Sequence, residues 1–197
     1  MVRVTIPDFM YVDESRPHLG GYLKGGDSGS FYPEMWTWLV RKYKITSVID
    51  VGCGEGHAAR YFADLGCDVL AIDGVWQLSQ NWQFHMHDYT TGPWPQKVLG
   101  TRMEGATDLV WCCEFVEHVE QRYEENFLTT FDMAMMIAMT HGLPGQGGHH
   151  HVNCQPPEYW IARLAERGFR LNRPATRRAR GLTPNGYFDW SGLVFVR

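Results

Sequence analysis

Apolar and polar positions follow two rhythms along the chain. Apolar runs of strand length occur at Val48–Val51, in CDVLAIDG (67–74), in TDLVWCCE (107–114) and in the closing SGLVFVR (191–197). Helical spacing fills the intervals. From Pro33 to Tyr43 it places Trp36, Leu39 and Val40 on one side, with Pro33 suited to a first helical turn. HAARYFADLG (57–66) and the stretch from Glu158 to Arg167 read as helices that stop at Gly66 and Gly168. Residues 119–131 also have helical character. QNWQFHMHDY (80–89) is a weaker third strand, and MAMMIAMT (133–140) reads as a fifth, although methionine and alanine equally suit a helix. Strands alternating with helices predict an α/β domain with a largely parallel central sheet. At 197 residues the chain suits one domain, 1–197. Residues 45–197 form its core, and 1–44 add a helix preceded by a lid built on the glycine-rich GGYLKGGDSGS (20–30).

In VIDVGCGEGHAARYF a strand enters a tight glycine turn and leaves as a helix. Gly52, Gly54 and Gly56 let the backbone approach a ligand closely, and the helix start offers free N–H groups. A nicotinamide cofactor would use the same devices. Its turn, however, is GxGxxG, whereas this one is GxGxG preceded by Asp50. A carboxylate at that point repels a pyrophosphate and suits a cofactor bearing a cationic amine. Asp73, 23 residues further on, ends the next strand, where a carboxylate accepts from ribose hydroxyls.

VIDVGCGEG, LAIDG and DLVWCCEFVEHV, in that order between about Ser47 and Val119, resemble the motifs of the class I S-adenosylmethionine-dependent methyltransferases. The resemblance extends more weakly to the closing strand. It implies a Rossmann-like fold with a mostly parallel seven-stranded sheet whose last strand is antiparallel. It also implies that Asp50, Gly52 and Gly54, in the turn that includes Cys53 and Gly56, hold the methionine end of the cofactor. Asp73 would bind the ribose, Gly74 and Val75 would face the adenine, and Asp88, with Tyr89 beside it, would meet the adenine amino group. Read from residues alone, Asp88 also suits a turn before Thr90 and Thr91.

WCCEFVEH (111–118) sets Glu114, Glu117 and His118 just past the fourth strand, at the ligand end of such a sheet. If a helix begins there, the three share its first turn, and carboxylates also stabilise the positive end of a helix. THGLPGQGGHHHVNCQ then brings His141, His149, His150 and His151 after the fifth strand. ExxEH with a later histidine is similar to the metal site of small-RNA 2′-O-methyltransferases and of ubiquinone-synthesis O-methyltransferases. That resemblance implies Glu114, Glu117, His118 and His151 as ligands of magnesium, manganese, iron or zinc. A metal-free site with one histidine as general base is the alternative.

Composition narrows the field. Apolar residues make up 44% and charged residues 20%, with a net charge of −4, which argues against bulk disorder and whole-surface nucleic-acid binding. Five cysteines without a CxxC pair support no disulfide framework, and the N-terminus lacks a signal-peptide pattern. With no apolar run of membrane length, these features predict a cytoplasmic protein. Seven arginines between 163 and 180 form a solvated basic surface or recognise an anionic acceptor. The prediction is an enzyme that methylates oxygen on a small molecule or sugar, assisted by a divalent metal; nucleic acid is a less favoured acceptor. The rivals are an N- or C-methyltransferase using a histidine base, and a non-catalytic cofactor-binding partner subunit.

Overall fold

A computed structural model describes residues 10–13, 15–75, 84–95 and 106–197. An antiparallel hairpin, β1 (Met10–Val12) with β2 (Gly20–Leu23), comes first. It is followed by α1 (Pro33–Tyr43), β3 (Ser47–Val51), α2 (His57–Asp64), β4 (Asp68–Asp73), β5 (Phe84–Met86) and β6 (Thr107–Cys112). The second half contains α3 (Glu124–Phe131), β7 (Ala134–Met139), α4 (Pro157–Glu166), β8 (Arg170–Leu171), α5 (Arg173–Arg180), α6 (Tyr187–Ser191) and β9 (Leu193–Val196). Residues 80–83 of the expected third strand, and 1–9 and 14 of the N-terminal segment, lie outside the described residues.

Strands β3 to β9 form one seven-stranded sheet in the order β5-β4-β3-β6-β7-β9-β8. Pairing is parallel from β5 through β7, and β9 runs antiparallel to both its neighbours, as the Rossmann-like reading expects. The chain leaves β3 towards β4 on one side and later returns to β6 on the other. This opens a crevice at the carboxyl ends of the strands.

The central strands are apolar on both faces because helices cover both. Val48, Leu109, Trp111 and Ala138 face one way and pack with Trp36, Leu39, Phe62, Ala179 and Phe188. Ile49, Val51, Val110, Ile137 and Met139 face the other way, against Phe127, Phe131, Trp160 and Leu164. This alternation explains why MAMMIAMT is a strand: β7 is hydrogen-bonded on both edges, so its tertiary setting overrides the helical taste of its residues.

Two expectations need correction. No helix starts at Glu114; instead 3-10 turns at Val116–His118 and Gln121–Tyr123 precede α3, which begins at Glu124. Glu114 and Glu117 therefore do not sit at a helix N-terminus to balance its dipole. The arginine run is not one solvated face either. Arg163 on α4 and Arg167 just past its end clasp Glu124, Glu125 and Asp132 on and beside α3, while Arg173–Arg180 form α5. Asn172 caps α5 by accepting the Ala175 N–H, and Pro174 stands in its first turn.

Trp111, 2% exposed, stacks on Phe188 at 5.6 Å and meets Trp36 edge-on at 5.7 Å, so it joins β6 to α6 and α1. Trp111→Ala is expected to cost about 3–5 kcal/mol in urea unfolding, without a change in m-value.

Candidate functional site

A cleft of about 720 Å³ lies at the carboxyl ends of the strands. The glycine turn after β3, the hairpin with the segment that follows it, and the loops after β6 and β7 form its walls. Gly52 adopts φ 72°, and a Cβ there would stand 2.6 Å from the Phe115 ring, so only glycine fits. The Gly52 and Cys53 N–H groups donate to the Ile72 carbonyl, which ties the turn to β4.

Asp50 is 2% exposed. Its Oδ2 has no hydrogen-bond partner among the described residues, and no cation stands against it. Burial, and then the charge of Asp73, push its carboxyl up to about 8, against one backbone N–H from Ala59. Asp73 accepts the Gly54 N–H at 2.9 Å and the Val75 N–H at 3.2 Å. Burial raises it too, and those N–H groups temper the rise. Gly52, Cys53, Gly54 and Gly74 line the cleft with these two acids.

Four residues expected at the cofactor are not on the cleft wall. Gly56 caps α2 at φ 76°, and Val75 is buried. The Tyr89 hydroxyl bonds to Thr130 at 3.0 Å within the core. Asp88 accepts from the Thr90 N–H and hydroxyl, which is the turn geometry open to it from sequence, and pairs with His18 Nε2 at 2.9 Å.

The two polar clusters after β6 and β7 meet. The Glu117 carbonyl accepts the Val152 and Asn153 N–H groups at 2.9 and 3.0 Å, clamping one loop to the other. One ligand atom from each of Glu117, His118 and His151 lies within 4.8 Å of the others. The His118 and His151 rings meet edge-on with centroids 4.8 Å apart. Gly148 makes this arrangement fit, because a Cβ there would come 2.2 Å from His151 Nε2. Both Glu117 carboxylate oxygens and His118 Nδ1 are buried without hydrogen-bond partners among the described residues. Burial, and then the neighbouring Glu114, hold Glu117 well above the ordinary carboxyl range. Burial, and then His151, push His118 down to about 3.

Glu114 stands outside this trio. Its backbone is at φ 50°, and its N–H and Oε1 both engage the Thr140 hydroxyl, at 2.7 and 2.9 Å. His141 is fully buried away from the cleft, and His149 Nε2 reaches the Pro17 carbonyl at 2.8 Å. Sequence reasoning did not single out Asp27, Tyr187 or His18, which line the cleft from distant segments. Asp27 lies inside the glycine-rich stretch read as a lid, whereas nothing local marks Tyr187. None of the arginines from 163 to 180 lines the cleft.

A family model described as a methyltransferase domain matches residues 25–172. A ubiquinone biosynthesis O-methyltransferase of Acinetobacter baumannii (strain AYE) is 31% identical over 124 residues, 58% of this chain and 47% of its own length. An Acinetobacter baylyi protein of the same name is 32% identical over the same shares. The chain thus spans about half the length of the curated relatives it matches. Among solved structures, a TehB-like SAM-dependent methyltransferase from Corynebacterium glutamicum superposes with TM-score 0.60 at 16% identity, covering 88% of this chain and 90% of that one. Magnesium protoporphyrin IX methyltransferase from Synechocystis, with bound SAM, gives 0.55 at 16% identity, over 82% and 76%. These two establish likeness of fold.

Asp50 has a folded pKa of about 8 against an ordinary 3.8, so the folded protein holds a proton there that the unfolded chain releases. Its contribution to stability is complete below about pH 4 and declines as pH rises towards about 8. Asp50→Asn should therefore unfold at a higher urea concentration than the parent, by a margin that widens between about pH 5 and pH 8. A margin independent of pH would contradict the assignment.

Proposed function

This chain belongs to the methyltransferase-domain family, and on that premise we propose that it transfers a methyl group from S-adenosylmethionine to a hydroxyl of a small organic acceptor. One observation carries the reading: Asp50 is buried beside a glycine turn with a carboxylate oxygen that nothing in the described chain satisfies. The ammonium of the methionine end would give Asp50 its missing counter-charge. Asp73, aligned by the Gly54 and Val75 N–H groups, would accept from the ribose hydroxyls. The bound donor supplies a methyl group on a sulfonium, which is activated for in-line displacement.

His118 lines the cleft as the candidate base, and the burial that keeps it neutral also makes it a weak one. Glu117, His118 and His151 also fit a divalent ion, because their ligand atoms converge and the buried Glu117 oxygens and His118 Nδ1 lack partners among the described residues. Two imidazoles with a carboxylate favour manganese, iron or zinc over magnesium. An ion held there would lower the pKa of an acceptor hydroxyl. Glu114 is left to its bonds with Thr140. Oxygen as the acceptor atom follows the names of the relatives.

Titration with S-adenosylhomocysteine should give one site, weakened at least about tenfold in Asp50→Asn. After loading with manganese and desalting, the parent should retain one ion, and Glu117→Ala about a tenth of that or less. Equal affinity in Asp50→Asn would contradict the donor assignment. Full metal retention in Glu117→Ala, or full turnover of that variant in chelator, would contradict the metal assignment.

A further inference from the structure

Five acids, Asp27, Asp50, Glu55, Asp73 and Glu114, line the cleft, and its described wall contains no lysine or arginine. Asp50 and Asp73 are taken up by the donor in the reading above. Glu55 accepts the Gly25 N–H at 3.0 Å and faces His57 Nε2 at 3.4 Å.

Asp27 and Glu114 remain, and neither forms an ion pair among the described residues. Asp27 is held in place from two sides. Its Oδ1 accepts the Gly29 N–H at 2.7 Å, and its Oδ2 accepts the Tyr187 hydroxyl at 2.8 Å. Each oxygen keeps a further lone pair for another donor. The rings of Tyr187, Trp111 and Phe31 line the same space, Phe31 with 45% of its surface exposed. The buried, unpartnered Oδ2 of Asp50 belongs to this cleft as well. Carboxylates without cations of their own, among aromatic rings, suit an organic cation. An anionic acceptor would enter against like charge.

Resting on the methyltransferase reading, we infer that the acceptor carries an amine besides the hydroxyl that is methylated. Asp27 takes the ammonium within reach of the aromatic rings, and the cleft turns away acceptors bearing phosphate or carboxylate. Asp27 is carried by the segment after the hairpin and Tyr187 by α6. This end of the cleft is thus built from different elements than the Glu117, His118 and His151 trio.

The test uses three phenols on one scaffold: tyramine, 4-ethylphenol and 3-(4-hydroxyphenyl)propanoate. Each is titrated calorimetrically into the full chain in chelator, both free and saturated with S-adenosylhomocysteine. Tyramine should bind at least about tenfold more tightly than the propanoate, with 4-ethylphenol between them. Asp27→Asn should shrink that ratio to about twofold, and Glu114→Gln should lower it in the same direction. A thermal melt of each variant separates loss of charge from loss of fold. The inference is overturned if the propanoate binds as well as tyramine, if no phenol binds, or if both folded variants keep the full ratio. Because the series also runs on the free protein, failure of S-adenosylhomocysteine to bind would count against the donor assignment and leave the charge preference readable.

Discussion

A carboxylate withdrawn from water without a counter-charge sets the terms for the cleft. Along β3 the side chains alternate, and Asp50 falls on the same side as Val48, whose neighbours are Trp36, Leu39 and Phe62. Placing a charge in that setting is costly unless it is paired or neutralised. The described residues supply one backbone N–H, from Ala59, and the second acid, Asp73, makes matters worse by repulsion. In the free protein a proton neutralises Asp50, and on the proposed reading the donor's ammonium takes that proton's place. The glycine turn serves the same end, because Gly52 presses its backbone against Phe115 and leaves the crevice above it open.

The parallel sheet does the rest of the assembly. Glu117 and His151 are 34 positions apart in the chain. They come together because β6 and β7 are adjacent and parallel, so the loops that follow them leave the sheet side by side. The backbone bonds from Val152 and Asn153 to the Glu117 carbonyl then fix those loops to one another. The result is a cleft whose walls include the acids beside the glycine turn, histidines of the later loops, Asp27 and Glu114. Like charges at close quarters are tolerated where a cationic ligand is the missing component.

Most of the sheet was legible in the sequence because buried parallel strands leave continuous apolar runs and glycines mark where helices stop. Asp50 and Asp73 could be singled out because they stand at the carboxyl ends of strands, and Glu117, His118 and His151 because they lie in loops that follow strands. Other features depended on information that no local pattern carries. The 3-10 turn at Val116–His118 replaces a regular helix because Glu114 takes a left-handed φ at its entrance. Arg163 and Arg167 look like free surface charge until α3 is laid beside α4. Tyr187 enters the cleft from 160 residues beyond Asp27, a distance that only the fold closes.

The central claim is that a cationic group supplies the charge Asp50 lacks, and proton accounting tests it directly. Binding of S-adenosylhomocysteine can be measured by calorimetry near pH 7 in buffers of different ionisation enthalpy. A carboxyl with a pKa of about 8 in the free protein must give up its proton when an ammonium pairs with it. The account predicts release of about one proton per ligand bound, abolished in Asp50→Asn. Binding without proton release, or with the same release in Asp50→Asn, would contradict it.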